Sequence, residues 1–297
     1  MTGLHVGGRE VATVVRPDLD IRLAPRPYLH PVRTLSGVTV TDALCYDHPW
    51  HMGASVTIAD VDGRNFWGGR TYVRDEGYRW LDDHGRIVEV SSCGPASGSS
   101  SGPASGSSCG PASVLEWQAA SGEVILREER TVTASAAPHG WRLSFAYALS
   151  TVAESEVVLG SPATHGRPGQ AGYGGFFWRA APGVARAFGA VSDSPHASAD
   201  PWLAVTVDDR YTLVFQGLAD ADRWFVRTGD YVGVCAALAF TDPLPIKPGR
   251  PLTRTIEVLV ADGALTRDQI EAVDLTGSPT GREAHPRDGD ARWSRGC

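Results

Sequence analysis

Val124-Ile125-Leu126-Arg127-Glu128-Glu129-Arg130-Thr131-Val132-Thr133, followed after Pro138 and Gly140 by Trp141-Arg142-Leu143-Ser144-Phe145-Ala146-Tyr147-Ala148-Leu149, decides the fold class of this chain. The second run alternates large apolar with small or charged side chains, as a strand with two unlike faces must. In the first run the same period of two puts Glu128 and Arg130 on one face and Arg127 and Glu129 on the other. One face is expected to be solvated. The other can hold cross-strand ion pairs or carry a carboxylate into a cleft.

The strand pattern continues outward. Residues 11–15, 21–23, 38–41, 55–59, 86–90, 156–159, 176–180, 202–207, 211–216, 231–240 and 252–260 all read as short β runs. Gly, Pro, Asp and Asn clusters separate them, and Asp62-Gly63 and Asp208-Asp209 suit tight hairpin turns. One short C-terminal helix is predicted over residues 266–272, capped by Thr266 with Asp268 and Gln269 in its first turn. Many strands and almost no helix predict an all-β sandwich, supersandwich or barrel.

The 297 residues suit one large all-β domain or two average ones, and 42% hydrophobic composition supplies a core. A single domain over residues 1–277 is expected. Residues 92–113 repeat Gly-Pro-Ala-Ser units with a period of eight and carry almost no apolar side chain, so a disordered loop is predicted there. Residues 278–297 read as a loose polar tail. A net charge of -7 argues against nucleic acid as a partner. No stretch approaches the roughly 18 apolar residues of a membrane helix, and the N-terminus lacks the pattern of a signal peptide. A cytoplasmic location is the expectation. Five cysteines without a Cys-x-x-Cys pair give neither a disulfide framework nor a zinc knuckle, although Cys93 and Cys109 could bridge in an oxidising compartment.

Chemistry concentrates in Asp47-His48-Pro49-Trp50-His51-Met52-Gly53, with His30 just upstream. Pro49 disfavours a helix through His48, so the segment reads as a turn entering the next strand. His30, His48 and His51 with a carboxylate can bind a divalent metal. They can instead move protons without one, or simply cap loops. His84 either closes a hairpin turn or delivers an imidazole to the same pocket. Residues 165–179 are rich in glycine and aromatics, but no glycine turn there leads from a strand into a helix, which excludes a dinucleotide site. Tyr173, Trp178 and Arg179 from this run, and Arg227 and Tyr231 from a later one, are candidate contacts to a polar ligand. No Gly-x-Ser-x-Gly elbow supports a serine nucleophile.

Three blocks resemble the DUF6807 family, also labelled the PmoA family. They are Arg26-Pro27-Tyr28-Leu29-His30-Pro31 with the histidine segment, Ala171-Gly172-Tyr173-Gly174-Gly175-Phe176-Phe177-Trp178-Arg179, and Trp224-Phe225-Val226-Arg227 through Val234-Cys235-Ala236-Ala237-Leu238-Ala239-Phe240 with a late Val260-Ala261-Asp262-Gly263. The family looks similar to galactose mutarotase-like β-supersandwiches. The resemblance implies a carbohydrate cleft carrying His30, His48, His51, Arg179 and Arg227. The leading expectation is a carbohydrate-active enzyme, an epimerase or mutarotase, or else a lyase or hydrolase. His48 or His51 would transfer protons, Asp47 would orient an imidazole, and Glu128 or Glu129 would be the second group. A metal-dependent oxygenase and a non-catalytic carbohydrate-binding module are the alternatives. The expected partner is a small sugar-like molecule, and the expected cofactor is none or a divalent metal.

Overall fold

The computed structural model describes residues 3–93, 112–219 and 221–273, and it is all-β. Strands are numbered in chain order. A seven-stranded sheet runs β1 (Gly3–Val6), β2 (Arg9–Val15), β3 (Tyr28–Val32), β4 (Ala54–Ile58), β13 (Gly174–Arg179), β18 (Gly233–Ala237), β17 (Arg223–Arg227). An eight-stranded sheet runs β14 (Ala185–Gly189), β15 (Trp202–Val207), β16 (Tyr211–Gln216), β20 (Leu252–Asp262), β11 (Gly140–Thr151), β10 (Val124–Ala137), β9 (Ala112–Ala119), β8 (Gly85–Cys93). A small sheet of β19 (Leu244–Ile246), β12 (Val157–Gly160) and β5 (Asp60–Val61) and a hairpin of β6 (Thr71–Val73) and β7 (Gly77–Arg79) complete the set. The one short helix, α1 (Arg267–Glu271), carries the predicted Thr266 cap as a reciprocal capping box with Gln269.

The two large sheets pack face to face as a sandwich. Phe145 on β11 meets Phe176 on β13 at a centroid distance of 4.9 Å, and Phe215 on β16 meets Trp178 at 5.8 Å and Trp224 at 6.3 Å. Burying such aromatics between sheets supplies the main stabilisation. In β13 all six residues are buried, which a strand solvated on one face would not show. Phe176 and Trp178 point into the sandwich. The other face of this sheet is covered by a second apolar cluster of Trp67, Phe177, Phe225, Cys235, Ala237 and Phe240. That outer face is the floor of the site.

The turns form as expected, with Asp62, Gly63, Asp208 and Asp209 all at positive φ. Four expectations are corrected. Residues 21–23 form a 3-10 turn, because the Asp20 carboxylate accepts the Arg22 N–H and offers the backbone a local alternative to pairing. Residues 38–41 make only isolated bridges, Arg33 to Thr39 and Thr41 to Ala180. Within the predicted loop 92–113, β8 and β9 pair as far as Cys93 and Ala112. Finally, Glu128 is fully buried inside the sandwich, where its two oxygens accept from Trp117 Nε1 at 2.9 Å and Arg130 Nε at 2.7 Å. Glu129 lies on the opposite, exposed face of that sheet, so neither reaches the site on the other sheet. Residues 94–111 and 274–297, which carry the rest of the disordered-loop and tail expectations and Cys109, lie outside the described residues. No helix among the described residues is long and apolar enough to cross a membrane.

Candidate functional site

The histidine segment lies over β4 and β13 because backbone hydrogen bonds pin its Gly53 end and close a turn within it. Gly53 N–H donates to Asp42 O, Arg179 N–H donates to Gly53 O, and His51 N–H closes a turn onto His48 O at 2.9 Å. Gly53 sits at φ +45, and a Cβ there would lie 2.1 Å from the Leu29 carbonyl oxygen, so only glycine fits. Arg26 fixes the segment from beneath. Its fully buried guanidinium donates to Trp50 O at 2.9 Å, Ala24 O at 3.0 Å, Trp67 O at 3.3 Å and Ser55 Oγ at 3.0 Å. Burial pushes its pKa down to about 9.

Above Arg26 a polar chain runs outward. Arg179 Nη1 donates to His51 Nδ1 at 3.2 Å, and Nη2 donates to both Asp47 oxygens at 3.1 Å. An arginine only donates, so His51 Nδ1 must accept and its proton belongs on Nε2. The His51 ring is 2% exposed, between Trp67, Phe177 and Tyr231. Burial, then the nearby His48, Arg179 and Arg26 charges, holds its pKa well below 6.5, so the ring is neutral. His48 stacks on it at 4.6 Å with an interplanar angle of 11°, and its Nδ1 pairs with Asp47 Oδ2 at 2.8 Å. Burial opposes ionisation of Asp47, but hydrogen bonds and charge from His48 and Arg179 outweigh it and lower its pKa to about 2. Asp47 is therefore an anion that holds the proton of His48 on Nδ1 and leaves Nε2 as the free ring nitrogen.

This chain opens into a cleft of about 590 Å³ lined by His48, His51, Trp50, Trp67, Trp80, Tyr78, Tyr173, Phe225 and Tyr231, with Arg70, Arg167 and Arg227 among its charged residues. Arg167 donates to the Tyr78 hydroxyl, which is 2.9 Å from the Tyr173 hydroxyl. Burial raises the pKa of Tyr78, raises that of Tyr173 well above its ordinary value, and takes Tyr231 up to about 12. All three phenols keep their protons at neutral pH and can donate.

Of the residues singled out in the sequence, Asp47, His48, His51, Tyr173, Arg227 and Tyr231 line the cleft, and Arg179 braces it from behind. Three do not reach it. Trp178 faces the sandwich interior, where its indole donates to Val40 O at 3.1 Å, because it alternates with Arg179 along one strand. His30 pairs with Thr41 Oγ1 at 3.0 Å on β3, away from the other two histidines. The proposed metal trio therefore does not assemble, and among the described residues no three His, Cys, Asp or Glu side chains converge as metal ligands. His84 is buried behind the wall, where its Nε2 is 2.6 Å from Gly69 O. Its role is to fix the turn beside Arg70.

Sequence reasoning missed Tyr78, Trp80, Arg70 and Arg167. Asp75-Glu76-Gly77, with Asp75 and Gly77 at positive φ between Val73 and Tyr78, was the available signal for the hairpin that brings in Tyr78 and Trp80.

The fold and site define an all-β sandwich with an aromatic, histidine- and arginine-lined cleft on one outer sheet face. The chain belongs to DUF6807, a family of unknown function whose model matches residues 2–273. No curated protein matches the sequence. Among solved structures, the chain is similar to the GH36 alpha-galactosidase AgaA from Geobacillus stearothermophilus at 8% identity and a TM-score of 0.32. The match covers 78% of this chain and 30% of that chain, so it spans less than a third of that enzyme.

Proposed function

We propose that this chain is a carbohydrate-active enzyme in which His48 transfers protons to and from a bound sugar. The observation that carries the reading is the Asp47–His48 pair, 2.8 Å apart, opening onto a cleft walled by tryptophan and tyrosine. Aromatic faces suit the C–H faces of a pyranose, and a cleft of this volume is of the size that takes a small ligand. His51 is neutral and locked by Arg179, so proton exchange falls to His48 Nε2, the ring nitrogen that has no protein partner among the described residues and accepts first. The second group that ring opening or epimerisation needs comes from the phenols, Tyr231 being the nearest to His48 with ring centroids 5.2 Å apart.

The test is a panel of reducing sugars followed by anomer-exchange and solvent-deuterium NMR. His48→Ala should abolish exchange, a fall of about 10² to 10⁴, while sugar binding persists. Binding without exchange in the wild-type protein would leave a carbohydrate-binding module in place of the enzyme.

A further inference from the structure

The cleft carries more positive charge than its proton-transfer role requires. Arg70, Arg167 and Arg227 line it, against Asp47 and Asp230. Asp47 is already engaged by Arg179 and His48. None of the three lining arginines has an ion-pair partner among the described residues. This occurs in a chain whose net charge is -7, so a positive cleft is not the default of its composition.

The way these arginines are held leaves donors free. Arg227 sits over Phe225, its Cζ 4.1 Å from the ring centroid, and Arg167 sits over Tyr78 at 4.9 Å. Stacking occupies the faces of a guanidinium and leaves its in-plane N–H groups available. Arg227 Nη1 has one good acceptor, Val226 O at 2.9 Å. Its other neighbour, His196 Nε2 at 3.4 Å, cannot accept. His196 Nδ1 already takes the Val226 N–H at 3.1 Å, so the neutral ring carries its proton on Nε2. Arg167 donates to Tyr78, and the charges of both Arg167 and Arg227 bear on that one phenol. Two half-buried guanidiniums thus line the same cleft as the Tyr78 hydroxyl, and neither has a carboxylate within ion-pair distance among the described residues.

The geometry points to an oxyanion subsite formed by Arg167, Tyr78 and Arg227, so that the substrate is an anionic sugar bearing a carboxylate or a phosphate ester. This rests on the carbohydrate reading above and names its substrate class. Paired guanidiniums match the two oxygens of a carboxylate or phosphate, whereas a neutral sugar would leave them unmatched. Arg70, exposed at the rim near Trp80, adds attraction during approach.

The experiment is titration calorimetry of the full chain with galactose, galacturonate, glucose, glucuronate and glucose 6-phosphate at low and high salt. The anionic ligands should bind about tenfold tighter than their neutral partners, the gain of one charge-assisted hydrogen bond, and added salt should erode the difference. Whether uronate or phosphate binds tighter identifies the oxyanion. Arg167→Gln/Arg227→Gln should erase the preference while neutral sugars still bind measurably, which also shows that the cleft is folded. The Arg167→Lys/Arg227→Lys protein should keep part of it.

Equal affinity for neutral and anionic partners, or a preference that survives the glutamine pair, overturns the inference and leaves the carbohydrate reading standing. No binding by any of the five ligands overturns both. Anion-selective binding without proton exchange keeps the subsite and removes the enzyme.

Discussion

Replacing His51 by glutamine should flatten the acid limb of the stability curve. The His51 imidazole is 2% exposed, accepts a hydrogen bond from Arg179 on Nδ1, and is held neutral first by burial and then by three neighbouring charges. In the unfolded chain it titrates near 6.5. Below that pH the unfolded chain binds a proton that the folded chain refuses. The stability contributed by the neutral ring is thus complete above 6.5 and is lost as the pH falls through 6.5 towards the depressed folded value. One proton of difference gives a limiting slope of about 1.4 kcal/mol per pH unit, and the step from about pH 6.5 to about pH 5.5 costs about 1 kcal/mol.

Burial also depresses His30 and His196, and these add to the slope in both proteins, so the difference between wild type and His51→Gln isolates His51. The glutamine carbonyl oxygen can still accept from Arg179, so the variant removes the titration and keeps an acceptor. Urea unfolding at several pH values measures both curves. Parallel curves across that window would refute the reasoning, because they would mean that His51 titrates alike folded and unfolded.

Asp47→Asn should lower kcat by about 10² to 10³ with little change in sugar Kd, because an amide cannot hold the imidazolium or fix the same ring tautomer; steady-state kinetics beside calorimetry separates the two. Arg26→Ala should cost about 3 kcal/mol or more in urea unfolding. It leaves the carbonyls of Ala24, Trp50 and Trp67 without their buried donor. Trp178→Ala should lose about 3 to 5 kcal/mol as a core tryptophan, while Trp80→Ala, at 49% exposure, should stay within about 0.5 kcal/mol and weaken sugar binding instead. The reverse pattern would place the cleft on the wrong face of β13.

Legibility in the sequence followed solvent exposure and parity. Strands β15 and β16 have the bounds that their composition predicts, and α1 announces itself through a capping box. Each of these signals is local. The site was legible where one segment carries it: Asp47, His48 and His51 sit on a loop that folds back on itself, so their meeting needs no distant pairing. The misplacing of Trp178 arose where a strand is buried on both faces. Gly174–Arg179 shows no alternation, because Trp67 and its neighbours cover the face that would otherwise be wet. Composition alone then cannot say which side chains share the cleft.

Parity still could. Adjacent strand residues point to opposite faces, so a cleft at Arg179 excludes Trp178, and an inward Glu128 excludes Glu129. The same rule groups Phe177 with Arg179, which the contacts of His51 with both bear out. What parity cannot supply is the arrival of Tyr78 from the β6–β7 hairpin and of Arg167 from a separate loop. Their meeting depends on the order of strands in the sheet, a long-range property that no local pattern encodes. The positive charge of the cleft was hidden for the same reason: its three arginines are spread over residues 70 to 227, and only the closed sandwich sets them around one volume.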